Sequence, residues 1–392
     1  MRTAVVILNW NTKGYLRVFL PALLHSVDGE KDRVVVADNA SSDGSLEMLA
    51  AEFPQVQTVA LDSNYGFTGG YNRALAQLEA DYYVLINSDI LVEDGWLEPL
   101  VAWMETHPRC AACGPKLHGL VAGEKAGSSF QASGEAAFSE ALPKFSAGEK
   151  AGFPGGSALY RKTDLFEYAG AAGGFLDRWG FPFCRGRVMN RVCEDRGQYD
   201  TPADVQWCSG ACLMVRSSVW KELGGLDDRF FAHMEEIDFC WRARSAGWSV
   251  TVVPQSVVWH LGGGTLTPKS PWKLELNYRN NLLLLDNNLE GRKAERKIRG
   301  RIAIDNLTRI AYFLQGKKDY AAAVRKAHAG FRELRHKPRP GIASTEALPE
   351  FSAGVEAIPA PEAGLSPIDI IPNALLRGGG IFKFLDKKIF GI

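Results

Sequence analysis

Val84-Leu85-Ile86-Asn87-Ser88-Asp89 is an apolar run that ends in a small polar turn carrying one carboxylate. It reads as a buried strand delivering Asp89 to a cleft, where a hard cation bridging a diphosphate finds a rigidly held ligand. A capping aspartate after a buried strand has the same appearance. The rest of the chain therefore decides between the two.

The same strand unit recurs upstream. Residues 4–8 form a short apolar run, and Tyr15, Leu16, Phe19, Leu20, Leu23 and Leu24 follow at helical spacing; residues 33–37 form a second, β-branched run. The pattern predicts a second helix over 46–53, a third strand over 56–60, a third helix over 70–78 and a fourth strand over 82–86. Such alternation implies an α/β fold, with a mixed, mainly parallel sheet covered by helices on both faces. Ligands of open sheets sit beyond the carboxyl ends of the strands. The polar residues gather there: Asn9-Trp10-Asn11, residues 38–44, residues 62–70 and Asn87-Ser88-Asp89. Four polar loops on one edge describe a nucleotide cleft.

With 392 residues, 46% of them hydrophobic, the chain can bury a sizeable core. Lys plus Arg and Asp plus Glu both number 45, so overall charge points neither to nucleic acid nor to an acidic partner. The distribution is uneven. Residues 292–335 hold thirteen Lys or Arg against four Asp or Glu, whereas residues 341–369 hold acids and no base. The basic stretch is either a solvated helical face or a contact for anionic lipid or a phosphorylated carrier. Seven scattered cysteines suit free thiols in a reducing compartment. No apolar run reaches membrane-spanning length, and Met1-Arg2-Thr3 leads straight into a strand rather than a signal segment. The expected location is cytoplasmic, peripheral at the inner face of the membrane.

Seven motifs in order then resemble one family. They are VVILNWN (5–11), VVVADNASSDGS (34–45), NYGFTGGYNRA (64–74), VLINSDI (84–90), WCSGACLMVR (207–216), GGLDDRFFAHMEEIDFCWR (224–242) and WHLGGGTL (259–266). Together they resemble the family 2 glycosyltransferases with a GT-A fold, in particular the rhamnosyltransferase-like branch of bacterial polysaccharide enzymes. The resemblance implies an inverting transfer from a nucleoside-diphosphate sugar, a UDP- or dTDP-sugar such as dTDP-rhamnose, to a hydroxyl of a surface glycan or lipid-linked precursor. It also implies Mg²⁺ or Mn²⁺.

Residue chemistry agrees with that picture. Asp38 closes the second strand, where its carboxylate can accept from a pyrimidine N–H or a ribose hydroxyl; a turn-forming Asx residue is the alternative. Gly66, Gly69 and Gly70 permit close backbone approach and lead into a helix N-terminus, which suits a diphosphate. Asn64 and Asn72 orient that loop, and Asn9, Asn87 and Ser88 complete the candidate donor contacts. Asp89 matches the acidic end of the family's D-x-D element, here in an Asn-x-Asp form, so the remaining cation ligands must come from phosphate, water and His260. His260, after the strand-like runs at 250–253 and 257–259, resembles a residue that in some GT-A enzymes completes the metal or diphosphate contacts; a structural histidine is the alternative. The family's Glu-Asp-x-Asp pattern reads Glu235-Glu236-Ile237-Asp238. Glu236 then stands where the base belongs, with Glu235 as alternative. Asp238 and Arg242 are spaced for an i,i+4 pair.

The domain organisation expected is a catalytic domain over 1–272 containing a flexible insertion at 119–157, a basic helical extension over 273–337, a linker over 338–364 and an amphipathic tail over 365–392. In the extension, Asn277-Tyr278-Arg279-Asn280-Asn281 resembles the family's Tyr-x-x-Arg-Asn element. EALPKFSAGEKA (140–151) recurs as EALPEFSAGVEA (346–357), with no physical account of its purpose. Arg185, Arg187, Arg191 and Arg196 are candidates to shape the acceptor side. A nucleotidyltransferase and a catalytically inactive nucleotide- or carbohydrate-binding module are the competing functions.

Overall fold

The computed structural model describes residues 2–122, 160–262, 270–339 and 364–391. The first half alternates β1 (Thr3–Asn9), α1 (Lys13–His25), β2 (Asp32–Asp38), α2 (Ser45–Glu52), β3 (Gln57–Ala60), α3 (Gly66–Leu75) and β4 (Tyr82–Ile86). These strands pair in parallel in the order β3-β2-β1-β4, with Asn9 opposite Asp38. All four exits therefore open on one edge. Side-chain alternation divides the core: Val5, Ile7, Val34, Val36, Val84 and Ile86 pack on the α1 side, and Ala4, Val6, Val35, Ala37, Tyr83 and Leu85 on the α3 side. Burial on both faces is why these strands read as unbroken apolar runs.

Past β4 the sheet becomes mixed. β5 (Ile90–Leu91), α4 (Glu98–Thr106), β6 (Cys110–Ala122) and β7 (Tyr160–Phe166) come next. Short strands β8 (Gly174–Leu176), β9 (Pro182–Cys184), β10 (Arg187–Val188) and β11 (Arg191–Val192) make a separate antiparallel sheet. β12 (Ala203–Asp204), β13 (Cys212–Arg216), α5 (Ser217–Glu222), α6 (Glu235–Ser245) and β14 (Ser249–His260) complete the main sheet, whose order is β12-β14-β6-β13-β4-β1-β2-β3. β13 runs antiparallel to both neighbours, so its start lies on the edge where β4 ends.

A helical layer follows: α7 (Pro271–Asn288), α8 (Gly291–Leu314) and α9 (Lys318–Leu334). Leu282, Leu283, Leu284 and Leu285 are all completely buried, because α7 lies between the sheet domain and the other two helices. The terminal α10 (Ile370–Arg377) and α11 (Ile381–Leu385) press Ile370, Ala374, Ile381 and Leu385 onto Phe183 and Val188 of the small sheet. Among the described residues no helix is long and apolar enough to cross a membrane. The seven thiols are unpaired.

Three details differ from the sequence reading. The third helix starts at Gly66 rather than 70, because the Asn39 and Asn64 side chains bind the backbone of residues 65–66 and turn the chain early. The apolar runs at 250–253 and 257–259 are one strand, interrupted between Val252 and Val257 around Pro254, which has no N–H for the ladder. Residues 119–122 are not loop: β6 continues through them against β7. Most of the expected insertion, most of the 338–364 linker, both copies of the repeat and residues 263–266 of the WHLGGGTL motif lie outside the described residues.

Candidate active site

The exits of β1 and β2 are knitted together by buried polar groups. Asn9 Nδ2 donates to Asp38 Oδ2 (2.6 Å) and Ser41 Oγ (3.0 Å), while the Ser41 N–H donates to Asp38 Oδ1 (2.8 Å). Asn9 Oδ1 accepts from the Thr12 backbone and hydroxyl (3.3 and 2.5 Å). Both Asn9 and Asp38 are completely enclosed. Here the pair ties the two loops together from beneath, as buried polar groups with satisfied bonds do. What faces the cleft is the loops themselves, including the exposed Trp10.

The glycine-rich loop is also used differently. Gly66 sits at φ +70°, and a Cβ there would lie 2.5 Å from the Phe231 ring. The Phe231 carbonyl accepts from the N–H groups of Phe67 (2.7 Å) and Thr68 (3.2 Å), and Asn64 Oδ1 accepts from Gly66 N–H (2.9 Å). The α3 N-terminus, expected to be an open diphosphate seat, is closed by these acceptors. Gly70 serves packing, since a Cβ would meet Leu8 at 2.8 Å. Asn72 is a latch: its amide bonds the Leu226 carbonyl (2.8 Å), the Leu226 N–H (2.9 Å) and Asp228 Oδ1 (2.6 Å). It does not orient the glycine loop.

Asp89 and His260 do meet. Antiparallel pairing of His260 with Ile90 brings them together, and the Leu261 N–H donates to the Asp89 carbonyl (3.1 Å). His260 Nε2 lies 3.3 Å from Asp89 Oδ1 and 3.4 Å from Asn87 Nδ2; Nδ1 lies 3.3 Å from Glu167 Oε2. Burial pushes this imidazole down, but Asp89 and Glu167 outweigh it and hold it up at about 10. Two ligands of an octahedral Mg²⁺ at about 2.1 Å lie about 3.0 Å apart, so the spacing of Asp89 and His260 suits neighbouring cation ligands, and a cation bound there would displace the Nε2 proton that His260 otherwise holds. Glu167 behind Nδ1 matches the carboxylate that orients a metal-bound histidine. No third ligating side chain joins them among the described residues. Ser88 is buried in the same turn.

The acidic loop is the most constrained segment. Phe231, His233 and Met234 all have positive φ (64°, 71° and 74°), costly for non-glycine residues. α7 braces them. Asn280 Nδ2 faces the carbonyls of Phe230 (2.9 Å), Ala232 (2.7 Å) and His233 (2.8 Å), and Arg279 Nη2 donates to Phe230 (2.7 Å). Asp238 is fully buried, accepting from Arg242 Nε (2.7 Å), as its spacing predicts, and from Asn287 (3.0 Å) and Asn288 (2.8 Å). Asp238 is thus structural. Its neighbours Glu235 and Glu236 each keep a buried Oε2 with no hydrogen-bond partner. Burial raises Glu235 well above the usual carboxylate range, with the Glu236 charge adding to it. Burial also raises Glu236, to about 7, against opposing backbone N–H groups that include Gly210.

Three of these clusters, the glycine loop, the Asp89 turn and the acidic loop, converge on residues 209–211. The Asn87 N–H donates to the Ala211 carbonyl (3.0 Å), and a Cβ at Gly210 would lie 3.5 Å from Glu236 Cβ and 3.6 Å from Phe67. Burial, then Lys273, push His233 down to about 4, so a neutral imidazole precedes the two acids. Sequence reasoning missed Glu167, Asn287 and Asn288. Glu167 follows a strand without any motif; the two asparagines end a helix whose apolar spacing drew the attention.

Residues 4–168 match the family model described as glycosyl transferase family 2. The N-acetylglucosaminyl-diphospho-decaprenol L-rhamnosyltransferase of Mycobacterium tuberculosis (strain H37Rv) is 24% identical over 267 residues, 65% of this chain and 75% of that protein. The uncharacterized glycosyltransferase YfnE of Bacillus subtilis (strain 168) is 32% identical over 117 residues, 29% of this chain and 30% of its own. Among solved structures, GalNAc-T7 with UDP, GalNAc and Mn²⁺ superposes with a TM-score of 0.51 at 14% identity, over 73% of this chain. The chain spans 48% of that structure's chain, and the likeness concerns the fold alone. Residues 4–168 thus carry the match to glycosyl transferase family 2, the fold is GT-A, and the chain is similar to a rhamnosyltransferase over 65% of its length.

Proposed function

We propose that this protein is an inverting glycosyltransferase that moves a sugar from a nucleoside-diphosphate sugar, a UDP- or dTDP-sugar such as dTDP-rhamnose, to a hydroxyl of a lipid-linked glycan precursor. The observation that carries the reading is Glu236. It opens a helix, its Oε2 is unpartnered, and burial holds it at about 7, where a carboxylate is a far better base than in water. Glu236 takes the proton of the acceptor hydroxyl as that oxygen bonds to the anomeric carbon from the face opposite the leaving group. The anomeric C–O bond breaks, its electrons stay with the diphosphate, and the configuration inverts. Glu235, raised further, stays protonated beside it and spares the base a second negative charge. A divalent cation, Mg²⁺ or Mn²⁺, held by Asp89 and His260 would neutralise the charge that develops on the leaving diphosphate. The loops that Asn9 and Asp38 support shape the nucleotide side.

The relative acting on a diphospho-decaprenol substrate supports a lipid-linked acceptor. Exposed Leu307, Ile310, Phe313 and Leu314 at the end of α8, next to exposed Lys317 and Lys318, support peripheral contact with an anionic membrane at its cytoplasmic face. The test is turnover of a panel of nucleotide sugars by wild type and Glu236→Gln. Loss of roughly 10²- to 10⁴-fold in kcat with donor affinity retained is expected for a base. Unchanged turnover would remove Glu236 from the mechanism, and absence of any nucleotide-sugar binding would remove the function.

A further inference from the structure

Arg185 and Arg187 flank the turn between β9 and β10, and both are buried, 4% and 6% exposed. Of the other comparably buried arginines, Arg229 and Arg301 each hold an aspartate, Asp227 and Asp305, while Arg244 donates to the Val205 carbonyl (2.9 Å). Among the described residues Arg185 and Arg187 pair with no carboxylate. Arg185 Nε and Nη1 and Arg187 Nε have no hydrogen-bond partner, and Arg187 Nη1 has only the Pro182 carbonyl at 3.3 Å. Each guanidinium instead lies over a ring, Arg185 at 4.7 Å from Tyr199 and Arg187 at 4.8 Å from Tyr168. Asp386 acts on Arg185 only from a distance, and its Oδ1 accepts from the Tyr199 hydroxyl (2.7 Å). A buried cation without a counterion is costly, and a site that keeps two of them is built for an anion that arrives from outside.

Their position is as informative as their isolation. The turn is rigid: Gly186, at φ +92°, lies where a Cβ would meet the Phe166 ring at 2.4 Å, and the backbone of Arg185 pairs with Ala172 and Gly173 (3.0 Å each). Tyr168 follows Glu167, the carboxylate that holds His260, and Gly170 of the same segment packs against Ser209, which precedes the Gly210 that faces Glu236. Arg187 therefore lies against the segment that borders both His260 and the proposed base. The outer cover of its guanidinium is Tyr168, whose ring is exposed.

We propose that Arg187, assisted by Arg185, binds the diphosphate of an acceptor whose sugar is carried directly on a lipid diphosphate. In such an acceptor the phosphates stand one sugar ring from the attacked hydroxyl, so the groups that hold them belong on an element bordering the base, as the turn carrying Arg187 does. The guanidinium fork donates to phosphoryl oxygens in pairs, with the Tyr168 ring fixing its plane. This inference rests on the lipid-linked acceptor proposed above.

Equilibrium binding tests it without relying on catalysis. The probes are a short prenyl diphosphoryl-N-acetylglucosamine and the matching prenyl N-acetylglucosaminide without phosphate, titrated calorimetrically into the full chain. Wild type should prefer the diphosphoryl probe at least tenfold. R187Q should weaken that probe 10- to 100-fold, the range for hydrogen bonds to a charged group, and R187K, which keeps the charge but not the fork, should fall between. The Kd of the nucleotide-sugar donor should move less than twofold in both variants. No preference in wild type, or equal weakening of both probes in R187Q, overturns the proposal, and the wild-type comparison decides even if R187Q does not fold. Failure of donor binding and turnover would instead overturn the glycosyltransferase reading.

Discussion

The brace from α7 to the acidic loop yields the most demanding prediction. Asn280 has two amide hydrogens and faces three carbonyls, those of Phe230, Ala232 and His233, at 2.7–2.9 Å. It is completely buried, so no water replaces it on truncation. Each hydrogen bond contributes about 0.5–1.5 kcal/mol net, and a buried carbonyl left without a donor costs about 1–3 kcal/mol. Asn280→Ala should therefore remove about 2–4 kcal/mol of restraint from a segment whose three positive-φ residues, Phe231, His233 and Met234, store strain of about 1–3 kcal/mol each. The two quantities are of similar size, so the loop should relax.

If 2 kcal/mol acts on the loop alone, the population that presents Glu236 correctly falls roughly 30-fold, and a displacement of about 1 Å carries a penalty of its own. Asn280→Asp should be worse than alanine. It keeps the shape and the acceptor used by Arg279 Nε (2.9 Å), but aims a carboxylate oxygen at three carbonyls. The assay is steady-state kinetics with the donor varied, beside a thermal unfolding curve. A fall in kcat of about 30-fold or more is expected for Asn280→Ala, with donor KM nearly constant, because Asp89 stands in the turn between β4 and β5 and His260 at the end of β14, not on the loop. Wild-type kcat in a folded Asn280→Asp protein would refute the brace.

Three further outcomes follow from the structure. With Glu236 raised to about 7, kcat should climb as pH rises through that value, and the limb should vanish in Glu236→Gln; a rate flat from pH 5 to 8 would argue against Glu236 as base. The linkage sign follows: both glutamates bind protons more tightly folded than unfolded, so their protonated forms favour the fold at low pH, and that contribution is lost as pH rises, for Glu236 through about 7. Glu235→Gln should then stabilise the protein more at pH 8 than at pH 5. At the tip of α8, Phe313→Asp with Leu314→Asp should reduce cosedimentation with vesicles containing anionic lipid, and raised salt should weaken wild-type binding. Equal binding by wild type and variant would remove the membrane contact.

How much of this was legible in the sequence depends on where each contact comes from. Strand ends were legible. The side-chain period of two and the parallel pairing of β1, β2, β3 and β4 force Asn9, Asp38 and Asn87 onto one edge, and a short antiparallel pairing carries His260 to Asp89. The acidic cluster was legible as a cluster, but spacing alone does not separate Glu235 and Glu236 from Asp238. Burial and three donors make Asp238 structural, and those donors sit on α6 and α7.

The glycine loop shows the limit most clearly. Gly66, Gly69 and Gly70 have the composition of an anion cradle, yet the acceptor that closes the α3 N-terminus is the carbonyl of Phe231, from the opposite half of the chain. Nothing near residue 66 encodes that contact. The same is true of Glu167 behind His260 and of Asn280 under the acidic loop. Each is a single side chain or carbonyl supplied by a remote element to a motif that looks complete without it. Local pattern therefore identifies which residues gather at the cleft. Whether one of them touches substrate or supports its neighbour is decided by partners that only the packed fold supplies, as with Asp38, enclosed by Asn9 and Ser41 while the loops above it face the cleft.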